Sequence, residues 1–327
     1  MKTIDKLGSC EWQPGEIVVR SGIYSNMPLD RYHRGDVCNG PSISSSGLRR
    51  IYNATPAHYW CESPLNPKRI VAKEKITPRH FVIGRAAHHL FFGEAAFNRL
   101  FIAAPPRVPD HTGQLKDFSL RLKYAKEWVL ARQRQGLEAL FPDEIESIEG
   151  MARALEQYWL CERGAFKGYI ERSAFFKHKE AAVWVKVRPD VIPTDSGDVV
   201  DLKTCESALD RDVDRAINQH GYRQQFALMR WVFRNLALPW SSGTLIFVEK
   251  SPPYAFNAVA IDEGDLDIAE REMMHALETF ARCLKSGKWP GPGGEGHIRT
   301  FRMSDRDREL AEQRIAAENA ASDRRAA

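Results

Sequence analysis

The alternation of apolar and polar residues predicts a β-hairpin in the second half of the chain. Over residues 181–188 three valines alternate with larger or charged side chains, which is the period of two of a β-strand. The turn signal Asp195-Ser-Gly follows, and a second β-branched run begins at Val199. Asp190 lies near the end of the first predicted strand, and Asp201 lies on the second.

The rest of the pattern predicts mostly helices. Residues 1–40 show no clear period and are expected to be irregular, and the Pro-rich polar stretch 104–117 is expected to be a loop. Helices are predicted from Ser44 to Tyr52 and at about 77–101, 118–135, 143–163, 206–218, 221–236 and 264–286. Further strands are predicted at 170–176, 243–249 and 254–261.

This order of elements predicts an α/β fold with a central mixed β-sheet flanked by helices and a helical N-terminal half. We expect one domain over residues 1–300, with a helical part over about 1–165 and a sheet core over about 166–300. Residues 301–327 are charged and rich in alanine, so they are expected to form a solvated helix or a disordered tail.

Composition and charge narrow the class of protein. A chain of 327 residues with 43% apolar content can bury a full core. It contains no run of about 18 uncharged apolar residues that would span a membrane, and its first residues lack the apolar segment of a secretory signal. The six cysteines include no Cys-x-x-Cys pair, which favours reduced thiols in the cytoplasm. A net charge of +4 permits a nucleic-acid partner without requiring one.

Two aspartates and a lysine on the predicted hairpin indicate a metal site. Asp201 and Lys203 are two residues apart on one strand, so their side chains leave the same face. Asp190 and Asp201 would repel each other at close range unless a proton or a cation lies between them. Oxygen ligands favour Mg²⁺ or Mn²⁺, which would polarise a phosphoryl oxygen and activate a water, and Lys203 would orient that water or stabilise developing charge. The alternative is that these residues are ordinary charges of a turn and a strand edge.

Four more residues are candidates for the same site. Glu171 begins a predicted strand that could reach the edge where Asp190 lies, and it could hold a second metal or a DNA terminus; a solvated glutamate is equally consistent. His88 lies on the buried face of its helix, where a core histidine is the commoner alternative. Tyr222 and Gln225 are neighbours on one helix face and could contact a water or a phosphate, although a core tyrosine beside a surface glutamine fits as well.

Taken together and in this order, these residues resemble the PD-(D/E)xK nuclease superfamily. More narrowly, they resemble the RecE-type exonuclease VIII family, which is related to the nuclease domains of RecB and of phage λ exonuclease. The segments that carry the resemblance are Tyr32-His33, Ile43 to Leu48, Pro56 to Tyr59, Gly84-x-x-x-His88, Glu171-Arg-Ser, Arg188-Pro-Asp190, Asp201-Leu-Lys203, Tyr222-x-x-Gln225 and Trp289-Pro-Gly291. No single segment is specific, but their order and spacing are.

The resemblance implies a role for each candidate. His88, Asp190, Asp201 and the Leu202 carbonyl would bind Mg²⁺, for which Mn²⁺ could substitute, and Lys203 would be the catalytic lysine. Auxiliary roles would fall to Glu171, Tyr222 and Gln225. The implied activity is Mg²⁺-dependent 5′→3′ degradation of linear duplex DNA in the cytoplasm. It would leave 3′ overhangs for recombination by a single-strand annealing protein, and the enzyme would be a prophage-type nuclease that forms a ring-shaped oligomer.

Two departures from related families matter. RecB-type relatives carry a tyrosine four residues after the glutamine, whereas Met229 follows Gln225 here. Relatives with an iron–sulfur cluster use four cysteines, three of them C-terminal, but only Cys283 lies in that region, so no cluster is expected. The alternatives left open are an endonuclease or flap nuclease of the same superfamily, a catalytically relict module that binds DNA ends, and an unrelated α/β protein.

Overall fold

Short strands and helices intermingle in the first half of the chain. The structure, a computed structural model, describes residues 7–69, 75–91, 97–162, 164–193, 196–294 and 298–326. The strands of this half are β1 (Cys10–Glu11), β2 (Gly22–Ser25), β3 (Ser42–Ser44), β4 (Phe101–Ala103), β5 (Arg107–Pro109), β6 (Leu115–Asp117) and β7 (Glu138–Leu140). The helices are α1 (Leu29–His33), α2 (Ser45–Asn53), α3 (Pro56–Glu62), α4 (Arg79–Phe91), α5 (Phe97–Leu100), α6 (Lys123–Arg134), α7 (Pro142–Glu156) and α8 (Trp159–Glu162).

Longer strands and helices follow in the second half. The strands are β8 (Gly168–Ile170), β9 (Ser173–His178), β10 (Val183–Val187), β11 (Val191–Pro193), β12 (Asp198–Cys205), β13 (Ser242–Glu249) and β14 (Phe256–Ala260). The helices are α9 (Asp210–His220), α10 (Tyr222–Asn235), α11 (Glu263–Ser286) and α12 (Asp305–Ala326).

Most of these strands belong to two five-stranded mixed sheets. The first has the order β1-β2-β9-β10-β3, with β10 antiparallel to β9 and parallel to β3. The second has the order β14-β13-β12-β11-β8, with β12 parallel to β13 and antiparallel to β11. Two small sheets pair β4 with β7 and β5 with β6. The predicted α/β class with mixed sheet and flanking helices is confirmed, with two sheets in place of one.

Helices cover both faces of the second sheet. Successive residues of β12 therefore belong to different core clusters, one on each face. Val199 belongs to a core cluster with residues of α10 and α11, whereas Val200 and Leu202 belong to a cluster with residues of α4 and α7. Successive residues of a strand point to opposite faces, so Asp201 and Lys203 point to the same side as Val199. The start of α10 therefore lies over the two charged residues.

The predicted hairpin is present, but with a different first strand. Val191 of β11 pairs with Val200 of β12, whereas β10 belongs to the other sheet. The step Arg188-Pro189 separates β10 from β11, and a proline there cannot donate to a ladder, which allows the chain to change sheets. Asp190 thus lies where the chain crosses between the two sheets. The predicted turn at 195–197 begins outside the described residues.

Other segments also differ from the prediction. The stretch expected to be irregular, 1–40, contains β1, β2 and α1 in its described part. β1 and β2 pair at one edge of the first sheet, and Tyr32 of α1 packs against residues of that sheet. The helix predicted over 77–101 is described as α4 and α5, with 92–96 outside the described residues, and it ends where β4 begins. The expected loop at 104–117 contains the β5–β6 hairpin. The predicted strand 170–176 is split into β8 and β9 at Glu171, whose φ is 47°.

The longest helix of the described residues, α11, agrees with the predicted range of about 264–286 and is capped at both ends. Asp262 precedes α11, and its carboxylate accepts hydrogen bonds from the backbone N–H groups of Gly264 and Asp265 at 2.8 and 3.2 Å. Gly287 ends the helix in the left-handed conformation, with φ of 69°.

The chain divides into two compact units, Met1–Trp289 and Pro290–Ala327. The second unit contains the exposed helix α12, where the sequence predicted a solvated helix or a tail. Across the described part of the chain, no helix is both long enough and apolar enough to cross a membrane. A single nuclease domain over 1–300 stays a prediction.

Candidate active site

His88 and Asp190 meet although they are about a hundred residues apart in the chain. His88 Nδ1 lies 3.5 Å from Asp190 Oδ1, and the two side chains are 20% and 15% exposed. Helix α4 approaches β12 closely at Gly84, where a Cβ atom would lie 3.6 Å from Thr204 Oγ1. A Cβ atom there would make only an ordinary contact, and the next turn of α4 carries His88 to Asp190, just before β11.

The backbone of β12 holds Asp190 beside Asp201. The N–H of Leu202 donates to Asp190 Oδ2 at 2.8 Å. Asp201 is almost fully buried, with a side chain that is 2% exposed, and its Oδ2 contacts Lys203 Nζ. Leu202 thus enters the site through its backbone, and the role of its carbonyl as a metal ligand stays a prediction.

Two residues at the start of α10 complete the site. Gln225 Nε2 donates to Asp201 Oδ1 at 2.9 Å. The ring of Tyr222 lies 5.1 Å from Lys203 Nζ, within cation–π range. The structure therefore brings these two residues to the charged pair, whereas spacing alone favoured a core tyrosine and a surface glutamine. Met229, which stands where RecB-type relatives carry tyrosine, is buried at the wall of the same cleft.

Glu171 is close to Asp190 through its backbone, but its carboxylate points to another partner. The N–H of Glu171 donates to the Asp190 carbonyl at 2.9 Å. Its Oε2 accepts from Arg188 Nη2 at 2.7 Å, and the same guanidinium donates to Met27 O and Ser173 Oγ. Arg188 thus ties Glu171 to the first sheet and to the N-terminal segment. A direct role of Glu171 at a metal or a DNA terminus stays a prediction.

Burial and neighbouring charges shift the pKa values of the site groups in different directions. The pKa of Asp201 is raised, first by burial and then by the negative charge of Asp190. The pKa of Asp190 is lowered: burial alone would raise it, but His88, Lys203 and the Leu202 N–H stabilise the ionised carboxylate. The pKa values of His88 and Lys203 are raised, because attraction to the aspartates outweighs burial. The site thus disfavours ionisation of Asp201 while Asp190 is ionised. A bound cation would reduce the repulsion between the two carboxylates.

The donor set fits a divalent metal in its chemistry. Asp201 Oδ2 is buried, and although it contacts Lys203 Nζ, no described donor makes a well-directed hydrogen bond to it. Two carboxylates and one imidazole are ligands that Mg²⁺ or Mn²⁺ accepts. Among the described residues, however, no group of three or more His, Cys, Asp and Glu side chains converges closely enough to hold an ion. Lys203 holds Asp201 and His88 faces Asp190, so a cation would compete with both contacts.

His88, Asp190, Leu202 and Lys203 line a cleft of about 1230 Å³, and the buried Asp201 contacts Lys203. Leu29, Tyr32 and His33 of the N-terminal segment line it from one side, and Tyr222 and Gln225 of α10 line it as well. The sequence did not indicate that residues near position 30 would reach this cleft. The resemblance included Tyr32-His33 but gave these residues no role, and a second signal was Lys186, a charged residue among the valines of β10.

A glycine between α9 and α10 sets the position of Tyr222 and Gln225. Gly221 has φ of 64°, and a Cβ atom there would lie 2.5 Å from Gln224 Oε1 and 2.9 Å from Arg49 Cδ. Arg49 Nη1 donates to the carbonyl of His220 and, at 3.4 Å, to that of Gly221. The corner between the two helices is therefore closely packed against α2.

We expect Gly221→Ala to lower the free energy of unfolding by more than the roughly 1–2 kcal/mol that a left-handed non-glycine residue costs. The excess would come from the contacts of the new methyl group with Gln224 and Arg49. Urea unfolding would measure it, with Gly113→Ala as the control. Gly113 also has a positive φ, 87°, but nothing lies within 4 Å of its Cβ position. Equal losses in the two variants would contradict the packing argument.

We expect Gln225→Ala to lower activity or metal affinity about 10–100-fold, as loss of a residue that orients a ligand does in other metal sites. The change removes the donor to Asp201 Oδ1. Nuclease rate as a function of Mn²⁺ concentration would measure the effect. The control is Asn235→Ala at the other end of α10, where the side chain bonds only to its own helix. An unchanged Mn²⁺ requirement together with an unchanged rate would argue against this role of Gln225.

The mixed sheets with flanking helices and the cluster of Asp190, Asp201 and Lys203 are features of PD-(D/E)xK proteins. The chain belongs to the family described as PDDEXK-like domain of unknown function (DUF3799), whose model matches residues 44–300. The resemblance inferred from the sequence is thereby confirmed for the superfamily. A search of curated proteins gives no match.

One solved structure shows the same fold, and two others are less similar. A candidate exonuclease from Eubacterium rectale is 13% identical with a TM-score of 0.50, over 81% of this chain and 92% of that one. A phage-related exonuclease from Haemophilus somnus 129PT is 14% identical with a TM-score of 0.28, over 62% and 94% of the two chains. An alkaline exonuclease from Laribacter hongkongensis is 13% identical with a TM-score of 0.24, over 52% and 88%. At these identities the first likeness shows the fold alone, and the other two TM-scores are too low to add to it.

Proposed function

We propose that the protein is a metal-dependent DNA exonuclease that hydrolyses phosphodiester bonds at the ends of linear duplex DNA. The observation that carries this proposal is the buried cluster of Asp190, Asp201 and Lys203, with His88 at 3.5 Å from Asp190, at the wall of a cleft of about 1230 Å³. Such a cleft is large enough for a nucleotide and its neighbours. Charged groups that are buried together at a cleft are candidates for catalysis.

The chemistry of the side chains and the motif resemblance suggest a role for each residue of the cluster. Asp190, Asp201 and His88 would hold Mg²⁺, with the Leu202 carbonyl as a further oxygen. When bound, the ion would polarise a phosphoryl oxygen and lower the pKa of a water molecule. Lys203, whose raised pKa keeps it cationic, would stabilise the negative charge that grows on the phosphoryl oxygens.

Two neighbouring side chains would position this machinery. Gln225 fixes Asp201 through its hydrogen bond, and the face of the Tyr222 ring limits where Lys203 Nζ can move. Glu171, held by Arg188, would contribute only if the substrate displaced that ion pair.

The preference for DNA ends rests on likeness to other proteins. The motif order resembles RecE-type exonucleases, and the Eubacterium rectale protein that shares the fold is described as a candidate exonuclease. We propose 5′→3′ polarity, 3′ single-stranded products and a single-strand annealing protein as the partner that receives them. A ring-shaped homo-oligomer in the cytoplasm would hold the enzyme on its duplex.

The test is digestion of linear and of closed circular duplex DNA, each with Mg²⁺, Mn²⁺ or EDTA. The proposal expects the linear DNA alone to be degraded, in the presence of a metal, with label lost first from the 5′ end. Cutting of the circle would show an endonuclease of the same superfamily instead. Tight binding of DNA ends without products under every metal condition would show a relict binding module.

A further inference from the structure

The first turn of α10 carries a buried polar side chain that makes no contact with the charged cluster. Gln224 is 4% exposed and precedes Gln225 directly in the chain. Successive residues of a helix point about 100° apart, so Gln224 faces α2 and α11 while Gln225 faces β12. Burying an amide is costly unless it is hydrogen-bonded, so the partners of Gln224 indicate what this residue holds in place.

Both ends of the Gln224 amide have partners on neighbouring helices. Its Nε2 donates to Glu272 Oε2 of α11 at 2.8 Å. Its Oε1 accepts from Asn53 Nδ2 of α2 at 3.0 Å, and its Nε2 also donates to Asn53 Oδ1 at 3.3 Å. Gln224 thus ties α10 to the end of α2 and to the middle of α11.

These contacts hold a helix start that has no cap of its own. The residue before α10 is Gly221, which has no side chain to accept from the N–H groups of the first turn. Arg49 donates to the carbonyls of His220 and Gly221, and Arg49 and Asn53 are four residues apart on one face of α2. The last turns of α2 therefore hold the corner between α9 and α10 from outside.

The side chain that depends most on the position of this turn is Gln225. Its Nε2 donates to Asp201 Oδ1 at 2.9 Å, and a hydrogen bond weakens steeply when its length or angle changes. A displacement of about 1 Å would be enough to lose it. The Tyr222 ring, at 5.1 Å from Lys203 Nζ, makes a cation–π contact that tolerates separations up to about 6 Å.

We propose that Gln224 is a positioning residue of the candidate active site: by tying α10 to α2 and α11, it sets the place of Gln225 relative to Asp201. The inference rests on the proposed function only for its consequence in hydrolysis, because the placement of Gln225 is a property of the metal-free protein. If the role of Gln224 were merely structural, its loss would lower stability while Gln225 stayed bonded to Asp201.

The first measurement is the NMR signal of the Gln225 side-chain amide, recorded on the full chain in EDTA and without DNA. Gln225→Ala identifies the signal by removing it. We expect Gln224→Met, which keeps the length of the side chain but loses its polar atoms, to shift this signal toward that of a solvated glutamine. Gln219→Met is the matched control, because Gln219 is an exposed glutamine of α9 near the same corner, and it should leave the signal in place.

Two variants of Glu272 separate the hydrogen bond from the charge. Glu272→Gln keeps an oxygen that can accept from Gln224, so the Gln225 signal should stay at its wild-type position. Glu272→Ala removes the acceptor and should shift the signal in the same direction as Gln224→Met. An unshifted signal in Gln224→Met would overturn the inference. If Gln224→Met does not fold, an unshifted signal in Glu272→Ala would do so.

A double-variant cycle carries the inference to the reaction. The rate of DNA digestion with Mg²⁺ should fall about 10-fold in Gln224→Met, the lower end of the range for residues that orient a metal ligand. Because Gln224 acts through Gln225, the variant with both Gln224→Met and Gln225→Ala should be no slower than Gln225→Ala alone, whereas losses that multiply would overturn the inference. If the wild-type protein digests no DNA but Gln224→Met still shifts the amide signal, the proposed function fails and the positioning role stands.

Discussion

Lys203→Ala is expected to lower the rate of DNA hydrolysis about 10³-fold, which is the upper range for loss of one group that stabilises charge in a transition state. Lys203 Nζ contacts Asp201 Oδ2 and lies over the Tyr222 ring, so its position is set by two neighbours before any substrate arrives. Its side chain is 20% exposed, and this exposed part faces the cleft. The measurement is the rate at saturating linear duplex DNA with Mg²⁺.

Two controls separate loss of chemistry from loss of fold. Lys177→Ala removes an exposed lysine from the first sheet and should leave the rate unchanged. Lys203→Arg keeps the positive charge but replaces a compact ammonium by a planar fork, so it should recover only part of the activity. If Lys203→Ala digests DNA at the wild-type rate while its thermal unfolding is unchanged, the assignment of Lys203 as the catalytic lysine is wrong.

Local pattern was sufficient to predict the part of the site that lies on one strand. Asp201 and Lys203 are separated by one residue of a β-branched strand, and the period of two alone places them on one face. The caps of α11 at Asp262 and Gly287 were predictable for the same reason, since both depend on neighbouring residues. Interactions of this kind are short in sequence, so a single chain reveals them.

The position of Asp190 between two sheets could not be derived in this way. A run of alternating residues predicts a strand but not which sheet the strand joins, because that depends on partners far away in the chain. β10 pairs with β3, whose residues Ser42–Ser44 precede it by more than a hundred positions. The contact between His88 and Asp190 also joins residues that are far apart in the chain. Only the resemblance to a family suggested it.

The buried charge of Lys186 indicates that another segment must supply polar groups next to it, and the N-terminal segment does so. Residues before position 44 lie outside the family match, yet Tyr24 and Tyr32 pack on Phe175 of the first sheet and cover the face that carries Lys186. A lysine inside an otherwise apolar strand is costly without partners. Its presence at position 186 was a signal that polar groups had to come from elsewhere, and the carbonyl of Tyr32 is one of them.

Asp190→Asn is expected to abolish metal-dependent hydrolysis and also to destabilise the metal-free protein by about 1.5–3 kcal/mol, the range for a hydrogen-bonded charged group. The ionised form of Asp190 is stabilised by His88, Lys203 and the Leu202 N–H, which lower its pKa in spite of burial. Asp201→Asn should abolish hydrolysis as well but cost less stability, because burial and Asp190 raise the pKa of Asp201 and disfavour its charge. Urea unfolding of both variants at pH 7 in EDTA gives the comparison.

The pH dependence of the first variant follows from the direction of the shift. A carboxyl group whose pKa is lower in the folded than in the unfolded protein stabilises the fold above its unfolded pKa, about 3.9. That contribution is lost as the pH falls through the lower pKa of the folded state. The advantage of the wild-type protein over Asp190→Asn should therefore be full at pH 7 and shrink below about pH 4. An advantage that is constant from pH 7 to pH 3 would contradict the opposite roles of the two aspartates, and so would a larger loss of stability in Asp201→Asn than in Asp190→Asn. The reason is that stabilising neighbours outweigh burial at Asp190, whereas burial and the charge of Asp190 outweigh them at Asp201.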